Sequence, residues 1–191
     1  MVQELLDELG FSPLDREREP TRYVALLRLA RSLTDAKASA RYGVISAGRR
    51  TVGLELALHL ALLIGQTTSA RVAVLEASLE PSVFAAPPFE IDVTSRVTLY
   101  PAHHPTMPHV ERAIVRADAA FVLADLTGLR RRGEHRRGFD LVDGVIIAAE
   151  QKRTRERDLI ELADAIPPPA NLGVVLMPPP HNTLARRMGI R

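Results

Sequence analysis

Residues 48 to 55 read Gly-Arg-Arg-Thr-Val-Gly-Leu-Glu. A glycine, four residues and a second glycine form the frame of a loop that wraps phosphate, and the next two positions carry its chemistry. A lysine normally follows the second glycine and reaches the phosphates, and a hydroxyl after it ligates magnesium. Here Leu54 and Glu55 stand in those places. Leucine cannot neutralise phosphate charge, and a carboxylate beside phosphates repels them. Arg49 and Arg50, inside the frame, offer the charge with which a loop lacking lysine could hold an anion. The frame predicts a turn kept by Gly48 and Gly53, with a helix that starts after Gly53 and presents free N–H groups.

Two acids fall where metal or nucleophile chemistry would need them. Glu76 stands in Val-Leu-Glu-Ala-Ser-Leu-Glu (74–80), and Asp125 closes Ala-Ala-Phe-Val-Leu-Ala-Asp (119–125). Downstream, residues 129–138 read Leu-Arg-Arg-Arg-Gly-Glu-His-Arg-Arg-Gly, which gathers Arg130, Arg131, Arg132, Arg136 and Arg137 with His135. Such a segment suits an anionic ligand, an acidic partner or a solvated mobile loop. His103, His104 and His109 match no metal-ligand spacing, and the chain has no cysteine, so no metal site is expected.

These residues must be positioned by a framework. Six apolar or β-branched runs (42–46, 71–77, 96–100, 119–125, 143–149 and 172–177) alternate with helical patterns at 22–36, 52–66, 107–117 and 154–165. Thr154 is a candidate cap for the last. Continuous apolar runs suit parallel strands buried on both faces. Their alternation with helices predicts a three-layer α/β/α sandwich with a mainly parallel sheet of about six strands, in which ligands bind at the carboxyl ends of the strands. The glycine frame falls at such an end. Proline triplets at 167–169 and 178–180 bracket the last strand. Residues 1–20 read as a loosely docked arm, and 21–191 as one domain.

The ordered set Pro-Thr-Arg-Tyr-Val-Ala-Leu-Leu-Arg-Leu-Ala-Arg-Ser-Leu (20–33), the glycine frame with its flanks, Val-Ala-Val-Leu-Glu-Ala-Ser-Leu-Glu (72–80), Phe-Val-Leu-Ala-Asp-Leu-Thr-Gly (121–128) and Asp-Gly-Val-Ile-Ile-Ala-Ala-Glu (143–150) resembles the cytoplasmic domain of bacterial tyrosine kinases, which belong with the MinD and ParA-type P-loop ATPases. The resemblance covers residues 20 to 177. It implies that Gly53-Leu54-Glu55 replaces Gly-Lys-Ser/Thr, that Glu76, Ser78 and Glu80 replace the Asp-x-Asp-x-Arg of the second motif, and that Asp125 is the retained Walker B acid. It also implies that Arg28 and Arg31, with Ala25 in place of a glutamate, descend from a helix motif that joins subunits. The tyrosine-rich tail of such kinases has no counterpart, since Tyr23, Tyr42 and Tyr100 are the only tyrosines.

By that resemblance the expected function is a catalytically inactive relative, a cytoplasmic scaffold or regulator in exopolysaccharide or capsule synthesis and export. Its expected partner is a membrane chain-length regulator (polysaccharide co-polymerase) or a related kinase subunit, with homo-oligomers an open alternative. ATP and magnesium are expected to bind weakly or not at all. A second reading is an active or weakly nucleotide-binding ATPase with an arginine in place of the lysine. A third is a MinD- or ParA-like positioning protein that touches membrane or DNA through the arginine segment, although nucleic acid is not the expected partner. The acidic, mixed N-terminus is unlike a signal peptide, and the longest apolar run, 54–65, contains Glu55 and His59.

Overall fold

The computed structural model describes residues 6, 9, 11, 14–35, 37–48, 50–77, 91–101, 107–131 and 133–178, without the side chains of Arg50 and Arg131. Helix α1 (Pro20–Asp35) leads into β1 (Ala40–Ser46), α2 (Arg50–Thr67) and β2 (Val72–Leu75). Next come β3 (Ile91–Thr94), β4 (Val97–Tyr100), α3 (Met107–Arg116) and β5 (Phe121–Asp125). Two short helices follow, α4 (Thr127–Arg131) and α5 (His135–Phe139), then β6 (Gly144–Glu150), α6 (Glu156–Ala165), a 3₁₀ turn (Pro168–Ala170) and β7 (Asn171–Met177).

The seven strands form one sheet in the order β3-β4-β2-β5-β1-β6-β7, parallel except for β3 against β4. Side chains on a strand alternate between faces, and the core divides accordingly. Tyr42, Val44, Val72, Val74, Phe121, Leu123 and Ile146 join a cluster with α1 and α2. Ile45, Ala73, Leu75, Val122, Ala124, Val145 and Ile147 join a second with α3, α4, α5 and α6. The α/β/α sandwich is therefore as expected, with one strand more. β3 escapes the sequence pattern because Ile-Asp-Val-Thr is short and exposes Asp92.

Helix α2 is buried almost all round, because it lies between the sheet on one side and α1 on the other. The N-terminal arm is less loose than its sequence suggests, since Leu6 and Phe11 are buried in the α1/α2 cluster. Thr154 does not cap α6. Its hydroxyl accepts from the Glu150 N–H (2.8 Å), and Arg155 occupies the cap position with no side-chain bond. None of the helices, among the described residues, is long and apolar enough to cross a membrane.

Candidate functional site

Strand β1 lies between β5 and β6, and the carboxyl ends of these strands bring together Ser46, Asp125 and Glu150, with Glu76 just past β2. All four residues are buried. One hydroxyl organises two of them. Thr127 Oγ1 accepts from the Ser46 N–H (2.9 Å) and donates to Asp125 Oδ1 (2.5 Å), which also accepts from the Thr127 N–H (3.1 Å). The acid at the end of β5 is thus held from within the chain, by a residue the sequence marks only as its second neighbour.

The glycine frame is not the expected loop. Helix α2 already begins at Arg50, so Gly53 lies in its first turn and only residues 47–49 connect it to β1. Arg49 lies outside the described residues. Positive φ among the described glycines is confined to Gly133 and Gly173, so neither frame glycine serves a left-handed turn. Gly53 answers a different need. A Cβ there would stand 2.5 Å from both Asp125 Oδ1 and Thr127 Oγ1. The absent side chain lets the start of α2 close directly onto the end of β5. Gly53→Ala is therefore expected to lower stability by about 1–3 kcal/mol, although alanine favours an isolated helix by roughly 1 kcal/mol. Thermal melting decides by sign: a higher midpoint would mean that propensity wins and the close approach is unimportant.

The two positions that should face phosphate point elsewhere. Leu54 is 0% exposed and belongs to the α1/α2 core cluster. Glu55 is buried too, but toward α1, where its Oε1 lies 3.7 Å from Arg22 Nη2. The same guanidinium donates through Nη1 to Glu19 Oε2 (2.7 Å) and through Nη2 to His59 Nδ1 (3.2 Å). That last bond requires the neutral His59 tautomer with its proton on Nε2. Glu55 and His59 are four residues apart, hence on one helix face. The expectation of a carboxylate beside the phosphates is corrected: Glu55 belongs to a polar cluster that ties α1 to α2.

The arginine segment is likewise not a loop but the helices α4 and α5, anchored by buried Leu129 and Phe139. Arg130 Nη1 donates to the Ala47 carbonyl at the end of β1 (3.4 Å), the one described arginine of the segment that reaches the strand-end crevice. Arg137 turns away to Glu111 (2.6 Å) and Glu134 (3.6 Å), while Arg136 is exposed. Arg132 and the Arg131 side chain lie outside the described residues. Burial, then the charges of Arg136 and Arg130, hold His135 below the usual imidazole range, so it adds no positive charge at neutral pH.

On α1, Arg28 and Arg31 are exposed one turn apart, with exposed Ala25 one turn before. Neither arginine makes an ion pair among the described residues. Tyr42 is buried, and its hydroxyl donates to the Leu33 carbonyl (2.7 Å). His103 and His104 lie outside the described residues, and His109 is exposed on α3. No group of three or more metal-ligating side chains is assembled among the described residues.

Strand order and helix placement define a P-loop ATPase-like fold. Solved structures with this fold include the VpsO kinase domain, which matches with 14% identity and a TM-score of 0.61 over 86% of this chain and 97% of that one. The BceF tyrosine kinase domain matches with 11% identity and a TM-score of 0.57 over 84% and 85% of the two chains. A ParA family ATPase from Chlorobium tepidum TLS matches with 12% identity and a TM-score of 0.55 over 80% and 81%. At such identities the likeness is one of fold. No family model matches the sequence, and neither does any curated protein.

Proposed function

We propose that this chain is a catalytically inactive relative of the bacterial tyrosine kinases, working as a scaffold or regulator beside a membrane chain-length regulator or a true kinase subunit. One observation carries the reading: Leu54 and Glu55, at the positions for the phosphate lysine and the magnesium hydroxyl, are built into the core and into the Arg22 cluster. These residues do not fit a magnesium nucleotide. Phosphoryl transfer depends on cations aimed at the transferring group, and the chain spends those positions on packing. Asp125 stands at the end of β5 as a buried acid whose Oδ1 accepts from Thr127. The exposed Arg28 and Arg31 are the proposed partner contact.

Purified protein is accordingly expected to neither hydrolyse ATP nor phosphorylate tyrosine. Turnover clearly above background, and abolished by Asp125→Asn, would sink the proposal. The partner contact is checked by co-purification with a cognate regulator or kinase, which Arg28→Ala/Arg31→Ala should weaken without a change in melting. The competing reading, in which Arg49 or Arg50 replaces the lysine, gains a further cation in Arg130, whose guanidinium reaches the Ala47 carbonyl beside the frame. Micromolar ATP affinity by calorimetry with magnesium present would favour it.

A further inference from the structure

We propose that the outer edge of β7 is a self-pairing strand, through which two copies of this chain join antiparallel about a twofold axis at Val174. β7 is the last strand of the sheet, bonded to β6 on one side only. Leu172, Val174 and Leu176 are 44%, 48% and 58% exposed, and its seven residues carry no charge. Edge strands of that length and polarity are ordinarily blunted by a charge or covered. The opposite edge is protected by its length and charge, since β3 has four residues and exposes Asp92, whereas on β7 the one irregularity against β6 is confined to the start of the strand, at Asn171–Gly173.

Nothing described covers β7. A groove of about 730 Å³ separates it from α1, with Leu26 and Leu29 on one wall and Val175 and Met177 on the other, so the helix leaves the edge open. The occupant follows from charge and symmetry. A twofold at Val174 sets Leu172 opposite the second copy's Leu176 and Val174 opposite itself, which buries apolar against apolar with no like-charge contact. The prolines fix the limits. Residues 167–169 and 178–180 are proline triplets, which lack the N–H that pairing requires, so the ladder cannot extend past the strand. That closes the assembly at two copies. This inference is independent of the nucleotide reading.

The test uses the full chain, which has no cysteine of its own. Sedimentation is expected to show a concentration-dependent dimer. Val174→Lys, which sets two lysines face to face across the axis, should weaken association by roughly a hundredfold, with melting unchanged at concentrations where the wild type is monomeric. Val174→Cys alone should form a symmetric disulfide under mild oxidation, while Leu172→Cys and Leu176→Cys should cross-link only when mixed with each other. A wild-type monomer at the highest soluble concentration, a Val174→Lys variant that associates like wild type, or a dimer in which Val174→Cys does not cross-link would each overturn the proposal.

Discussion

Leu54→Lys, which returns a lysine to the position after the second glycine, is expected to destabilise the protein by about 3–5 kcal/mol rather than to confer nucleotide binding. Leu54 is fully enclosed by the cluster that joins α1, α2 and the sheet. A lysine there must lose its charge, lie unpaired in an apolar interior, or force its stem out between packed side chains. Each outcome also removes the leucine packing. In a chain of this length the loss corresponds to a midpoint lowered by roughly 10 °C. Differential scanning calorimetry with and without ATP and magnesium reads both consequences together. An unchanged midpoint, or one raised by nucleotide, would mean that position 54 can reach the crevice, and the packing of Leu54 would no longer carry the inactive-relative reading.

Arg22→Met is expected to cost about 2–4 kcal/mol, the second largest effect. Arg22 is 13% exposed and faces Glu55 at 5%, so its loss leaves a buried carboxylate facing a thioether. The separation of 3.7 Å exceeds a hydrogen bond, which keeps the figure toward the lower part of the range for buried pairs. The telling measurement is the double variant. Arg22→Met/Glu55→Gln should regain a large part of the loss, because an uncharged amide is cheaper to bury than a carboxylate that has lost its guanidinium neighbour. If the double variant melts no higher than Arg22→Met alone, the ion pair is not what joins the helices.

The parallel strands were legible because both faces of the sheet are covered, and near-continuous apolar runs such as 44–47 and 121–124 are what that burial demands. The same logic could not find β3, whose exposed Asp92 is suited to an edge and breaks the apolar run. At the site, the positions were legible and their directions were not. A glycine spacing signals a loop, but it equally fits a helix that needs one missing Cβ for close approach, and only the nearness of Asp125 and Thr127 separates the two. Glu55 and His59 could be placed on one helix face from their spacing. Their shared partner Arg22 could not, since it comes from a helix more than thirty residues earlier. In the arginine segment, Leu129 and Phe139 were the missed signal: apolar residues among charges mark turns that dock onto a core.

The sheet order also bears on how the chain reaches this state. β1 is bordered by β5 and β6, with Ala40 beside Phe121 and Tyr42 beside Gly144, so the middle of the sheet closes loops of some eighty to a hundred residues. Local pairing is confined to β3 and β4 at the margin. Loop-closure entropy must be met before such distant contacts return anything, which makes the centre slow to form. Until residues 121–150 have been synthesised, β1, the apolar α2 and β2 have no completed sheet to bury them, and they remain exposed to aggregation or to capture by chaperones. The strand order that encloses β1 in the finished protein leaves the nascent one open through much of its synthesis.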